Sequence, residues 1–169
     1  MIELLDEQEI RPMLGALLVE KAERALSILG LENAIVSLLL CDDAAIQELN
    51  ARWRQIDRPT DVLSFPMLEE ALVPYIEGEQ PWPDDLRQAD TLIGDIVISV
   101  ETCVRQAEEW KHTEIDEALR LWVHGLLHLC GYDHEEVEET AFMRQREEAI
   151  LQQITSTQTI PLTTLHDDR

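Results

Sequence analysis

The chain is short of positive charge: its 169 residues include 13 Lys and Arg against 35 Asp and Glu, a formal net charge of −22. A mean field of that sign repels phosphate groups. The composition therefore excludes nucleic-acid binding through a general basic surface. Any nucleic-acid function must work through a local site, a metal ion or a partner that brings the two molecules together.

Cysteine is also scarce, and the three that occur, Cys41, Cys103 and Cys130, have no paired spacing. This argues against a disulfide framework and suits a reducing compartment. The apolar runs are far shorter than the ~20 residues of a membrane helix. The first ten residues lack the basic start of a signal peptide. We expect a soluble, cytoplasmic protein without a membrane partner.

With 45% hydrophobic residues and only six Gly and seven Pro, the composition is that of a globular protein. The length predicts a single domain, which we assign to residues 1–154. Residues 68–90 contain seven acids and three prolines, so we expect a long acidic loop or insertion there. The polar, Thr-rich residues 155–169 are expected to form a disordered tail.

Helices and strands alternate along the chain. Apolar residues at a 3.6-residue period predict helices at 12–29, from 43, from 100, at 115–129 and at 135–154. Short β-branched or alternating runs predict strands at 34–41, 61–65 and 92–98. Gly30 is a predicted C-cap, and Asp42 and Ser99 are predicted N-caps. The pattern indicates an α+β or small α/β domain.

Three of the five histidines form the pattern His124-x3-His128-x5-His134. Residues at i and i+4 of a helix lie on one face, so His124 and His128 can present their imidazoles to one ion. Gly131 permits the chain to leave the helix through positive φ, and the turn returns His134. Three imidazoles with an open fourth position are typical of a catalytic zinc site, on a helix and the turn that follows it.

The alternative is that these are ordinary helix histidines, and the helix periodicity tests it. At 100° per residue, the apolar stripe of the helix clusters within about ±40° of one direction. His124 and His128 lie at roughly 180° and 220° from that direction. The pair therefore faces away from the predicted core, as ligands lining a cleft would. By the same geometry Cys130 points elsewhere and is not expected to be a ligand.

The same histidine spacing occurs in metzincin peptidases, H-E-x-x-H-x-x-G-x-x-H, whose glutamate is the general base. The corresponding residue here is Gly125. Glycine cannot accept a proton from water. Peptide hydrolysis by a base on this helix is therefore excluded unless another carboxylate substitutes.

The whole string His-Gly-Leu-Leu-His-Leu-Cys-Gly-Tyr-Asp-His at 124–134 resembles the signature of the YbeY family, H-G-x-L-H-L-x-G-Y-D-H, at every fixed position. Leu49-Asn50 with Arg54, the block Pro-Thr-Asp-Val-Leu-Ser-Phe-Pro at 59–66 and the block Leu-Ile-Gly-Asp-Ile-Val-Ile-Ser at 92–99 are also similar to the family. The resemblance spans about residues 34–150. It implies an α+β fold with a small mixed sheet beneath the histidine helix and about five helices.

The resemblance also implies a function. The YbeY family consists of bacterial and organellar endoribonucleases that mature ribosomal RNA. We therefore expect a zinc-dependent endoribonuclease that cleaves single-stranded RNA, acting in ribosomal RNA maturation (the 3′ end of 16S RNA) and in ribosome quality control. One zinc ion is expected at His124, His128 and His134. Arg54 is expected to reach into the metal cleft and contact the scissile phosphate, as a guanidinium suits such charge.

The expected partners are ribosomal RNA as substrate and the small ribosomal subunit with its assembly proteins, but not DNA. The family commonly has Gly-Lys after the arginine, whereas this chain has Gln55-Ile56, and its acidic segment is longer. Both differences weaken intrinsic affinity for RNA. We infer that RNA reaches the site mainly within a ribosomal particle that is docked by protein contacts.

Several alternatives stay open at this point. The chain could be a metal-dependent hydrolase of another ester or amide, or a ribosome-assembly factor whose zinc is structural. The arginines around Arg54 could be a solvated helix end that pairs with Asp57 and Glu48. Asp133 could support a ligand histidine or cap the next helix. Tyr132 could stack on a base or pack under the turn.

Overall fold

The structure is a computed structural model that describes residues 1–6, 11–68, 90–132 and 137–155, with only the backbone described at 137–140. The elements follow one another as β1 (Ile2–Asp6), α1 (Pro12–Ile28), β2 (Ala34–Cys41), α2 (Asp43–Arg54), β3 (Val62–Pro66), β4 (Thr91–Ser99), α3 (Val100–Trp110), α4 (Glu114–Leu129) and α5 (Val137–Thr155).

The strands of the described residues form one mixed sheet in the order β1-β2-β4-β3. β1, β2 and β4 are parallel neighbours, and β3 pairs antiparallel with β4 at one edge. With five helices around it, this is the expected α+β fold with a small mixed sheet.

The two faces of the sheet bury different helices because side chains alternate along each strand. On β4, Ile96 and Ile98 join the main core with residues of α1, α4 and α5. Val97, between them, belongs to a second cluster with Ile46 of α2 and Leu63 of β3. The histidine helix α4 and helix α2 therefore lie on opposite faces of the sheet.

The predicted boundaries are confirmed where local chemistry sets them. The Asp42 side chain accepts a hydrogen bond from the Ala45 amide at 2.8 Å and caps α2. Ser99 Oγ accepts one from the Thr102 amide at 3.2 Å and caps α3. Gly30 has φ +70° after α1, as a C-cap glycine requires.

Strand β1 was not predicted. Its five residues have one buried side chain, Ile2, and Leu5 is exposed, so the hydrophobic pattern is weak. Its place in the sheet comes from parallel pairing with β2, about thirty residues away, as in Leu4 opposite Leu38. That pairing is a non-local interaction that a short window of sequence does not contain.

Two sequence predictions fall mainly outside the described residues: the acidic insertion, of which 69–89 are not described, and the tail, of which 156–169 are not described. Over the part of the chain that is described, no helix combines the length and the apolar composition that crossing a membrane requires.

Candidate metal centre

Capping hydrogen bonds fix both ends of helix α4. Thr113 Oγ1 accepts a hydrogen bond from the Asp116 amide at 3.2 Å, and the first turn is acidic, which suits the helix dipole. At the other end, the Gly131 amide donates to the His128 carbonyl at 2.9 Å and the Tyr132 amide to the Leu127 carbonyl at 3.0 Å. This is a Schellman motif, and Gly131 has the φ of +82° that it needs.

The histidine face is the one open stripe of α4. Between Glu117 and Cys130 every residue is buried except Arg120, His124 and His128, which are partly exposed at four-residue spacing. The predicted orientation of the two histidines away from the core is confirmed. Burial extends further than the predicted stripe, because Leu121, Val123 and Leu127 also lie in the core.

The two imidazoles converge through the same ring atom. His124 Nε2 and His128 Nε2 are 3.2 Å apart, and the ring planes cross at 78° with centroids 4.7 Å apart. Two nitrogens bound to one tetrahedral zinc at 2.0–2.1 Å are separated by about 3.3 Å. The pair therefore fits two of the ligand positions of a zinc ion.

Glu147 of α5 contacts the other nitrogen of His124. Its Oε2 lies 3.4 Å from His124 Nδ1, and its side chain is only 14% exposed. A hydrogen bond that Nδ1 donates to a carboxylate leaves Nε2 deprotonated and available to an ion. Glu147 is not predictable from the local sequence, since only the packing of α5 on α4 brings it to His124.

Gly125, next to His124, packs closely against the sheet. A Cβ atom at this position would lie 3.1 Å from both Ile96 Cγ2 and Ser64 Oγ. The residue that replaces the peptidase glutamate therefore faces the sheet and not the cleft. A general base at position 125 is excluded by residue type, and a larger side chain there would also press on Ile96 and Ser64.

His134 and Asp133 lie outside the described residues, so the predicted third ligand and the two roles of Asp133 stay predictions. In the described ranges, no three His, Cys, Asp or Glu side chains form a metal-binding group. Cys130 is buried, and burial raises the pKa of its thiol to about 12, so a protonated thiol away from the cleft agrees with its exclusion as a ligand. Tyr132 packs under the turn, stacked on Phe142 at 5.9 Å.

Arg54 is exposed in the last turn of α2, across the sheet from the histidines. This end of α2 lies at the β3 edge, because the Trp53 ring packs edge-on against Phe65 with centroids 6.0 Å apart. Ser64, which precedes Phe65 in β3, lies beneath Gly125 of α4. Arg54 is thus near the edge around which the two faces connect, and its role in the site stays a prediction.

The arginines near Arg54 do not make the ion pairs that a solvated helix end would. Arg52, Arg54 and Arg58 are all exposed, and no carboxylate of the described residues pairs with them. Asp57 instead accepts a hydrogen bond from Gln47 Nε2 at 2.8 Å. Among the described residues, no carboxylate neutralises any of these three guanidiniums.

A second polar cluster lies at the N-terminal half of α4. Glu117 is completely buried and accepts hydrogen bonds from Arg120, with Nη2 at 2.6 Å from Oε1. His112 Nε2 is 2.9 Å from Glu117 Oε2, and Asp61 Oδ2 is 3.9 Å from Arg120 Nη2. Asp61 also accepts a hydrogen bond from the Val62 amide at 2.9 Å, which gives it a structural role. His112 is thus a partner of the buried Glu117 carboxylate.

Two cavities flank these features. One of about 440 Å³ lies between α4 and α5 and is lined by His124, Glu147, Arg120 and Arg144. A larger one of about 820 Å³ is lined mainly by apolar residues of α1, such as Met13 and Leu17. The smaller cavity borders one predicted site residue, His124, and the larger one borders none.

The chain is similar to known proteins over most of its length. The family model for Endoribonuclease YbeY matches residues 4–155. Endoribonuclease YbeY of Desulfitobacterium hafniense is 49% identical over 123 residues, which cover 73% of each chain. The protein of the same name from Aquifex aeolicus is 44% identical over 138 residues, covering 80% of this chain and 81% of the relative.

The fold is also similar to that of a solved structure. The solution structure of TM1509 from Thermotoga maritima matches with a TM-score of 0.61 and 30% sequence identity. The match covers 91% of this chain and 89% of that one. The likeness therefore extends over nearly the whole of both chains.

Proposed function

Because the chain belongs to the Endoribonuclease YbeY family, we propose that it is a metal-dependent endoribonuclease that hydrolyses phosphodiester bonds in single-stranded RNA. The observation that carries the proposal is the convergence of His124 Nε2 and His128 Nε2 at 3.2 Å on the open stripe of α4. Two imidazoles that face each other in a partly exposed cleft are positioned to bind one ion that a substrate can also reach.

One zinc ion would be held by His124, His128 and, from the sequence pattern, His134. The distance between the two described nitrogens fits the tetrahedral spacing of about 3.3 Å. A bound zinc ion supplies Lewis acidity, which polarises a phosphoryl oxygen and lowers the pKa of water.

The residues of the chain would hold and orient the reactants. Glu147 would accept a hydrogen bond from His124 Nδ1–H and so hold the ring with Nε2 free to bind an ion. Arg54 would bind the scissile phosphate, because a planar guanidinium matches two phosphate oxygens at once. The buried leucines beside the histidines exclude water from the floor of the cleft, which strengthens these interactions.

In the cell, the substrate of this proposal is ribosomal RNA, in maturation of the 3′ end of 16S RNA and in ribosome quality control. The net charge of −22 disfavours capture of free RNA, which supports docking on the small ribosomal subunit or its assembly proteins. We propose a cytoplasmic location, which is supported by the buried free thiols of Cys41, Cys103 and Cys130.

The test is cleavage of a labelled single-stranded ribosomal RNA fragment, before and after removal of metal with EDTA. We expect wild type to lose cleavage in EDTA and regain it with added zinc. His128→Ala and Arg54→Ala, each checked for folding by circular dichroism, should lose at least a hundredfold in rate, a typical loss for a group acting on the transition state. Equal cleavage by all three proteins would contradict the proposal and favour a ribosome-assembly factor.

A further inference from the structure

Trp53 is a large aromatic residue that the fold leaves in solvent. Its side chain is 60% exposed at the end of α2, although edge-on packing against Phe65 holds the ring in place. The Arg52 guanidinium lies over the ring, 5.3 Å from its centroid. The ring is thus a fixed, exposed π-surface that already accepts one planar cation, and an exposed anchored aromatic is typical of an interaction surface.

The charge around this ring is complementary to phosphate. Arg52, Arg54 and Arg58 lie within seven residues, are exposed and form no ion pair with the described residues. They amount to nearly a quarter of the 13 basic residues of a chain with net charge −22. This is the local basic site that the overall charge requires of any nucleic-acid function.

The patch formed by Trp53, Arg52 and Arg58 lies at the edge strand β3, on the other face of the sheet from the histidine helix α4. Phe65 contacts Trp53 on one face of the sheet, and the neighbouring Ser64 lies beneath Gly125 of α4 on the other. Gly125 directly follows His124 in the chain. A strand of nucleic acid that passes around this edge would contact Trp53 and the cleft in turn.

We propose that Trp53, with Arg52 and Arg58, forms a base-stacking site for single-stranded RNA at the β3 edge of the sheet. This inference rests on the proposed function and gives its substrate selectivity a physical basis. One unpaired base stacks on the Trp53 ring while the guanidiniums contact the adjoining phosphates, which leaves Arg54 for the scissile phosphate. A base in a duplex is already covered on both faces, so the site selects single strands and tolerates any sequence.

The test is the affinity of EDTA-treated protein, which is not expected to cleave, for a short fluorescently labelled single-stranded RNA by anisotropy. We expect Trp53→Ala to weaken binding about tenfold and Trp53→Phe to retain most of it, as loss of one base–aromatic stack predicts. Trp110→Ala is the matched control, since Trp110 is also exposed, and lies near a guanidinium that a carboxylate already neutralises. Its affinity should stay within about twofold of wild type, as for a residue outside the contact surface.

An RNA with a single abasic nucleotide, scanned along the strand, identifies the stacked position. At that position the abasic RNA should bind wild type more weakly, with no further loss in Trp53→Ala. Unchanged affinity of Trp53→Ala, with histidine-dependent cleavage intact in wild type, would overturn the stacking site and leave the proposed function standing. Absence of both RNA binding and cleavage in wild type would refute the proposed function itself. If Trp53→Ala bound RNA as tightly as wild type but bound small-subunit proteins more weakly, RNA would be overturned as the occupant of this site.

Discussion

Two exposed tryptophans of this chain, Trp53 and Trp110, look alike but lie in opposite electrostatic surroundings. Trp53 is 60% exposed with the Arg52 guanidinium 5.3 Å from its centroid, and Trp110 is 50% exposed with that of Arg120 at 4.8 Å. The Arg120 guanidinium, however, is hydrogen-bonded to the buried Glu117 and lies near Asp61. Arg52 has no carboxylate partner among the described residues.

The difference teaches that an aromatic ring beneath a guanidinium does not by itself indicate a binding surface. At Trp110 the Arg120 guanidinium is already neutralised by Glu117. Because Glu117 is buried, this ion pair is part of the folded core. At Trp53 no carboxylate of the described residues neutralises the arginines, so we expect the ring and its charge to act on an outside molecule. Substitutions in the first region should change stability, and substitutions in the second should change RNA affinity.

The largest effect should come from a substitution in the polar cluster of Glu117, Arg120 and His112, which lies beside Trp110. Glu117→Ala leaves Arg120 and His112 partly buried without their carboxylate, and we expect a loss of about 3 kcal/mol in the free energy of unfolding. Urea denaturation measures this, with the exposed Glu148→Ala as a control within about 0.5 kcal/mol of wild type. A loss in the free energy of unfolding no larger than that of Glu148→Ala would show that the cluster does not stabilise the core.

Two Glu–His contacts of the described residues, Glu147–His124 and Glu117–His112, should differ in the same way. The first should affect zinc binding and the second should affect stability. Glu147→Gln keeps the size of the side chain but weakens the acceptor for His124 Nδ1, so we expect about tenfold weaker zinc binding. Competition with a chromophoric chelator measures the affinity. The corresponding Glu117→Gln should lower stability and leave zinc affinity unchanged. Equal zinc affinity of Glu147→Gln and wild type would assign Glu147 to packing alone.

The open arginines predict a shallow dependence of RNA binding on salt. Three guanidiniums on single-stranded RNA give a slope of log K against log[salt] of roughly −2, and each Arg→Ala should reduce its magnitude by about 0.7. Arg52→Ala and Arg58→Ala test this, with Arg105→Ala as the control, because Asp43 pairs with Arg105 at 2.8 Å. A much steeper slope in wild type would contradict both the patch and docking through protein contacts.

The smallest effect concerns the end of α2 that carries the patch. Gln55 has φ +62°, in the left-handed region that favours glycine. Gln55→Gly should therefore stabilise the protein by roughly 1 kcal/mol in thermal or urea unfolding. Gln55→Asn should give an intermediate value, since Asn tolerates this conformation. No gain from glycine would mean that other contacts of Gln55 offset its backbone strain.

Much of the fold was predictable because its signals are local. The caps Asp42 and Ser99, the glycine that ends α4 and the open face of His124 and His128 all follow from neighbouring residues. Strand β1 and Glu147 were not predictable, because each depends on a partner far along the chain. The position of Arg54 shows the same limit: periodicity predicts helix α2, but only its packing on Leu63 and Val97 shows which face of the sheet the helix covers.

The central claim, that His124 and His128 hold a catalytic ion rather than a structural one, is tested most directly by zinc content and stability measured on the same samples. We expect one zinc per wild-type chain, none retained by His128→Ala, and cooperative thermal unfolding of both at similar temperatures, with cleavage lost only in the variant. A His128→Ala protein that is unfolded, or one that lacks zinc and still cleaves RNA at the wild-type rate, would contradict the account.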